Sequence, residues 1–289
     1  MDKGDPRRPA TGNPAGSGAM PRDDAASQLT DRQRQLRQDL PHAGLRGELW
    51  LAYQPKFTAR GNRLAGAEAL LRWRHGTLGA IPPDEFIPLA EESGAIMRLS
   101  EWAIGAASRQ IHAWRRQGLG APRIAVNISL RDLRVADLVA CLHDNLSRYG
   151  IAPDRLIFEF TESSAIGASP HLTGMLAHLH AIGLGVAIDD FGTRHSNLSH
   201  LLELKVSQLK IDRSFVSPLD GEDTRAHRIV AVIIRLAHSL GIEVVAEGVE
   251  TARQLRILSV LDCDQVQGYF LGHPLEARLF AELLAKHAS

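Results

Sequence analysis

The chain of 289 residues holds two cysteines, Cys141 and Cys263, far apart and without metal-type spacing. That excludes a cysteine-ligated zinc site and a disulfide framework, and predicts reduced thiols in a cytoplasmic protein. Net charge is also missing: 33 Lys plus Arg balance 33 Asp plus Glu. Without a broad positive field, a general nucleic-acid or membrane-surface binder is not expected. A small anionic ligand gripped by one or two arginines stays compatible. No apolar run reaches the ~18 residues of a membrane span. The N-terminus lacks the apolar stretch of a secretory signal. There is no Walker-type glycine-rich loop, no GxSxG elbow and no HExxH helix. No helix-turn-helix with a basic recognition helix is evident, so direct DNA binding is not expected. No repeat of fixed period occurs.

What remains is ordinary for a soluble globular domain, with 44% apolar and 23% charged residues. Residues 1–28 are rich in Gly, Pro, Ala, Asp and Arg without periodicity, and are expected to be disordered. Met20 offers an alternative start. Residues 29–45 read as a leading helix and linker, with a polar helix from Asp31 to Leu40 ended by Pro41. From residue 46 to 289, β-type runs alternate with amphipathic stretches. The runs are Leu49–Phe57, Arg63–Leu71, Arg123–Ser129, Leu156–Thr161, Gly185–Asp189, Gln208–Asp212, Ile242–Glu247 and Gln265–Tyr269. In Arg225–Leu240 the residues Ile229, Ile233, Leu236 and Leu240 repeat at helical spacing. Gly150, Gly183 and Gly241 stand where helices should stop.

Alternation of this kind predicts a parallel sheet with helical crossovers, and eight strands predict closure into a barrel. The first connection is different. Only Thr58–Asn62 separates the first two runs, too few residues for a parallel crossover. They should form an antiparallel hairpin turning at Gly61-Asn62. The expected fold is a (β/α)8 TIM-like barrel with an antiparallel first strand.

Most of these strands end in a polar residue that a buried strand should not carry: Glu68, Asn127, Glu159, Asp189 with Asp190, Lys210, Glu247 and Gln267. Singly, each reads as a helix cap or loop residue. Together they would meet at one barrel rim, where several carboxylates repel one another unless cations relieve them. Oxygen ligands without His or Cys suit magnesium or manganese. Asp189-Asp190 is a natural pair for two ions, and two-metal sites perform in-line phosphoester displacement. Lys210 would orient the attacking water or offset transition-state charge. Trp73, Trp102 and Trp114 read as packing residues.

At this point the chain resembles the EAL-domain family of cyclic di-GMP phosphodiesterases. The resemblance runs from about Arg46 to the C-terminus. It is carried by Tyr53-Gln54-Pro55, Glu68-Ala69-Leu70-Leu71-Arg72-Trp73, Phe86-Ile87-Pro88-Leu89-Ala90-Glu91-Glu92-Ser93-Gly94 and Val126-Asn127-Ile128-Ser129. It continues in Glu159-Phe160-Thr161-Glu162, Asp189-Asp190-Phe191-Gly192-Thr193, Lys210-Ile211-Asp212, Ala246-Glu247-Gly248-Val249-Glu250-Thr251 and Gln267-Gly268-Tyr269. The resemblance implies roles. Glu68, Asn127, Glu159 and Asp189 would hold a first metal, with Asp189 bridging to a second that Asp190 helps to hold. Lys210 and Glu247 would handle the attacking water and the metal network. Gln54, Leu71 and Arg72 would bind substrate, with Gln267 and Glu250 as the remaining polar wall and Glu162 stabilising a loop. The implied reaction opens one phosphodiester of cyclic di-GMP to linear pGpG with Mg2+ or Mn2+, in a homodimer.

One departure stands out. After Thr193 the family pattern continues Gly-Tyr-Ser-Ser-Leu, whereas this chain reads Arg194-His195-Ser196-Asn197-Leu198. If that glycine supplies a positive φ, arginine adopts it at ~1 kcal/mol or more. Altered rate or regulation is the expected consequence. The departure also keeps open an alternative: a non-catalytic or weakly active cyclic di-GMP-binding regulatory protein acting through a partner protein. His195 and His200 read as solvated loop residues rather than metal ligands.

Overall fold

A computed structural model describes residues 30–129, 135–161, 170–192, 205–221 and 224–287. Its first two strands, β1 (Leu49–Thr58) and β2 (Leu64–His75), form the expected antiparallel hairpin. Gly61 (φ 82°) and Asn62 (φ 47°) supply the positive dihedrals of its turn. A short strand β3 (Gly79–Ile81) pairs with the end of β2. With β1 on one side and β3 on the other, β2 stays paired through His75, four residues past the expected end at Leu71.

Parallel strands follow: β4 (Arg123–Asn127), β5 (Leu156–Thr161), β6 (Gly185–Phe191), β7 (Gln208–Ile211), β8 (Glu243–Ala246) and β9 (Gln265–Val266). The sheet order is β1-β9-β8-β7-β6-β5-β4-β2-β3, and the β1–β2 pairing closes it. The result is an eight-stranded barrel with β3 outside the ring. β1 runs antiparallel to both its neighbours, β2 and β9. The last two strands are shorter than their apolar runs, so Glu247 and Gln267 stand just beyond strand ends.

Helices lie between strands and against the barrel's outside: α2 (Pro83–Ser93), α3 (Ile96–Arg116), α4 (Val135–Tyr149), α5 (Pro170–Ala181), α6 (Arg213–Val216), α7 (Thr224–Ser239), α8 (Ala252–Val260) and α9 (Ala277–His287). Alternate strand residues face opposite ways. One set, including Ile124, Val126, Phe158, Val186, Ile188, Leu209 and Val244, joins the helices in the main core. The other set points into the barrel, where Ala125, Ile157 and Ala187 form a small separate cluster. Two residues further along those strands stand Asn127, Glu159 and Asp189.

Helix α1 (Asp31–Asp39) starts with a capping box between Thr30 and Gln33. Pro41 does not stop the chain abruptly. It occupies the first turn of a 3-10 segment, Leu40–His42, where a missing N–H costs nothing. Leu36, Leu40 and Ala43 are buried with Trp73, Ile81 and Phe86 in a second core cluster. On α7 the buried face is Val230, Ile233, Ile234 and Ala237, while Ile229 and Leu240 are exposed. This corrects the expected stripe. The apolar sector of that helix is wider than one stripe: the expected residues run along its edge, and Val230, Ile234 and Ala237 complete its buried centre. Both cysteines are free thiols; Cys263 is buried and Cys141 partly so. Trp73 and Trp114 are fully buried.

Candidate active site

The inward residues at the C-terminal ends of the strands converge. Lys210, on β7, is 1% exposed and sits at the centre. Its Nζ lies 2.8 Å from Glu159 Oε2, 2.8 Å from Glu247 Oε1, 2.9 Å from Asp189 Oδ2 and 3.6 Å from Glu68 Oε2. Glu68 accepts hydrogen bonds from Asn127 Nδ2 at 2.7 Å and Gln267 Nε2 at 2.8 Å. Gln267 Nε2 also reaches Gln54 Oε1 at 3.1 Å. Residues from β1, β2, β4, β5, β6 and β7, and those just after β8 and β9, thus form one hydrogen-bonded network.

Asp190 is positioned by local backbone geometry. The β6–β7 register shifts between Ile188 and Phe191, and Asp190 adopts φ 57° within that irregularity. Aspartate tolerates this region better than bulkier residues. Such bulges re-aim side chains beside functional sites. Oxygens of Asp189, Asp190 and Glu247 lie within 4.8 Å of one another.

The electrostatics show an imbalance. Glu68, Glu159, Asp189, Asp190 and Glu247 face two buried lysines, Lys210 and Lys56. Burial pushes the Glu247 carboxyl up, with Asp189, Glu68 and Glu159 adding to it against Lys210, to about 8. Burial also raises Glu159, and burial with the Asp189 charge raises Asp190. At Glu68 burial is outweighed by Lys210, Lys56 and the two amide hydrogen bonds, which bring it down to about 2. Lys210 is held well above the usual lysine value because its four carboxylates outweigh its burial. Two lysines cannot neutralise five carboxylates, and that shortfall, added to burial, raises the proton affinity of Glu247, Glu159 and Asp190.

Two depressions open onto this network. One, of about 740 Å³, is lined by Leu71, Arg72, Asn127 and Glu159, with an apolar wall that includes Pro83, Ile87 and Leu99. The other, of about 250 Å³, is lined by Gln54, Glu68, Asp189, Lys210, Glu247, Glu250 and Gln267. Glu250 pairs with Arg213 at 2.7 Å. Gly268 is forced by a close approach: a Cβ there would lie 2.1 Å from the Val249 carbonyl oxygen. Glu162, Arg194, His195 and His200 lie outside the described residues.

Three participants escaped the sequence reading. Lys56 is 2% exposed and donates to Glu159 Oε1 at 2.6 Å. Its signal was a lysine inside an apolar strand run, two positions from Gln54 and so on the same face. Arg213, at the second depression, carried no distinguishing pattern, and Tyr269 stood in the Gln267-Gly268-Tyr269 match without an implied role.

The cluster suits hard cations. Its donors are carboxylate and amide oxygens, and Gln267 Oε1 is buried without a protein partner. Fold and cluster together define a barrel protein whose C-terminal rim carries an acidic centre suited to cations. The chain belongs to the EAL domain family, whose profile matches residues 34–274.

Among its relatives is the bifunctional diguanylate cyclase/cyclic di-GMP phosphodiesterase MucR of Pseudomonas aeruginosa. The two are 42% identical over 256 residues, 89% of this chain and 37% of that protein. The cyclic di-GMP phosphodiesterase PA2567 of the same organism is 36% identical, over 78% of this chain and 38% of the relative. The chain therefore spans little more than a third of these relatives. The solved structure described as the PaMucR phosphodiesterase in complex with c-di-GMP superposes with a TM-score of 0.79. It is 41% identical, over 85% of this chain and 99% of that one.

Proposed function

We propose that the protein is a cyclic di-GMP phosphodiesterase that hydrolyses its substrate to linear pGpG. The observation that carries this reading is the ring of Glu68, Asn127, Glu159, Asp189 and Glu247 around Lys210, on a barrel shared with relatives named for that activity. Magnesium or manganese, two ions, are the proposed cofactors. When bound they supply charge stabilisation at the reacting phosphate. Glu68, Asn127, Glu159 and Asp189 would hold the first, and Asp189 with Asp190 the second.

The remaining residues bind, orient and move protons. Arg72 presents a planar fork to a phosphate oxygen, and Leu71 and Gln54 line the substrate's path. Gln267 and Glu250 form the polar wall, and Glu162 would stabilise the loop beside the aspartates. Glu247, beside Lys210 at 2.8 Å and among the carboxylates of the rim, is placed to accept the proton of the attacking water. The water oxygen attacks phosphorus, the bond to the ribose 3′-oxygen breaks, and that oxygen leaves as an alkoxide that takes a proton from solvent. Lys210 offsets the negative charge that develops. The work is assigned to the cytoplasm and to a homodimer, which light scattering checks. No helix among the described residues is long and apolar enough to cross a membrane.

The test is incubation of pure protein with cyclic di-GMP and Mg2+ or Mn2+, with products separated by chromatography. pGpG should form, and Glu68→Ala or Asp189→Asn should abolish it. Tight nucleotide binding with no product under either metal would favour a receptor acting through a partner.

A further inference from the structure

The geometry points to Lys56 as a positioning residue for Glu159. It holds one carboxylate oxygen of that glutamate, stabilises the cation-free barrel, and lowers the affinity of the rim for metal. This inference rests on the proposed metal site.

Lys56 reaches the site because β1 is reversed and its alternate residues Gln54 and Lys56 share a face. Its side chain is 3% exposed, that of Glu159 0%. Burying an ammonium group this deeply is expensive unless it is paired. The partner it has is Glu159 Oε1, at 2.6 Å. The other oxygen of Glu159, Oε2, lies 2.8 Å from Lys210.

The two lysines have different duties. Lys210 is shared among Glu159, Asp189, Glu247 and the more distant Glu68. It can redistribute its hydrogen bonds when a cation takes some of those oxygens. Lys56 stays with Glu159. Two consequences follow. A cation would meet Glu159 mainly through Oε2, once Lys210 releases it, because Lys56 keeps its hold on Oε1. A fixed positive charge also stands behind the ligand and opposes a second positive charge in front of it. In a low-dielectric interior that repulsion is large. In return, Lys56 keeps Glu159 satisfied when no cation is present, so the barrel does not depend on metal to fold.

The experiment titrates Mn2+ into the full chain without substrate and follows the free-ion signal by electron paramagnetic resonance. Wild type is compared with Lys56→Met, which keeps the stem but removes the charge, and Lys56→Gln, which keeps a donor without the charge. Both variants should bind Mn2+ roughly tenfold more tightly or better. Both should unfold at lower temperature than wild type in EDTA and recover most of that loss with saturating Mn2+. An unchanged or weaker Mn2+ affinity would overturn the assignment. So would an equal loss of thermal stability with and without Mn2+, or a variant that stays unfolded in its presence, since either marks a merely structural lysine. Absence of Mn2+ binding in the wild type is a separate outcome, and it would overturn the metal reading itself.

Discussion

Replacing Glu247 by Gln should stabilise the metal-free protein at pH 8 and leave it nearly unchanged at pH 5. Burial and the neighbouring carboxylates hold the folded Glu247 at about 8, against an ordinary value of 4.5. Between those values the folded chain keeps a proton that the unfolded chain has released. The contribution to stability is therefore fully present below 4.5 and is lost as pH rises toward 8. At ~1.36 kcal/mol per tenfold change in proton affinity, the full effect is about 4–5 kcal/mol. The Glu247 side chain is 19% exposed, and solvent screens part of the repulsion, so roughly 2–4 kcal/mol is expected. For a domain of this size that corresponds to ~5–15 °C in unfolding temperature. Glutamine keeps an acceptor for Lys210 and removes only the charge. The assay is thermal unfolding in EDTA at pH 5 and pH 8, wild type beside variant. The same substitution removes the charge that repels Glu68 and Glu159, which adds to the gain at pH 8. A variant no more stable than wild type at pH 8 would refute the overcharged carboxylate ring.

Three further outcomes are expected. Arg72→Lys should raise KM for cyclic di-GMP about tenfold with a smaller change in kcat, because a point charge replaces a planar fork; a fall in kcat at constant KM would count against a binding role. Gly268→Ala should cost on the order of 2–4 kcal/mol in denaturant unfolding, because the new Cβ meets the Val249 backbone at 2.1–2.2 Å. Leu36→Ala should cost ~2–5 kcal/mol, since Leu36 is fully buried beside Trp73 and Phe86, whereas a near-neutral result would mean that α1 is dispensable.

The barrel was legible because its signals are local and periodic. Apolar runs of strand length, helix-stopping glycines and a five-residue first connection determine the order and the reversed strand. Polar residues at strand ends were legible as a set, since one rim collects them. Legibility failed where tertiary contacts decide. β2 runs past Leu71 because β3 pairs with it, and Gly79–Ile81 alone is too short to announce a strand. The buried face of α7 was misread because its apolar sector is wider than the single stripe that the spacing picks out. Lys56 was passed over because a lysine in a strand is usually an edge or surface residue. Only closure of the barrel brings it to Glu159, 103 positions away.

The most direct test is single-turnover reaction of cyclic di-GMP with excess protein in 18O-labelled water, read by mass spectrometry. With Mg2+ or Mn2+ the account predicts pGpG carrying one 18O in its terminal phosphate, and with EDTA it predicts intact cyclic substrate. Recovery of intact cyclic di-GMP from folded, nucleotide-bound protein in the presence of either metal would contradict it.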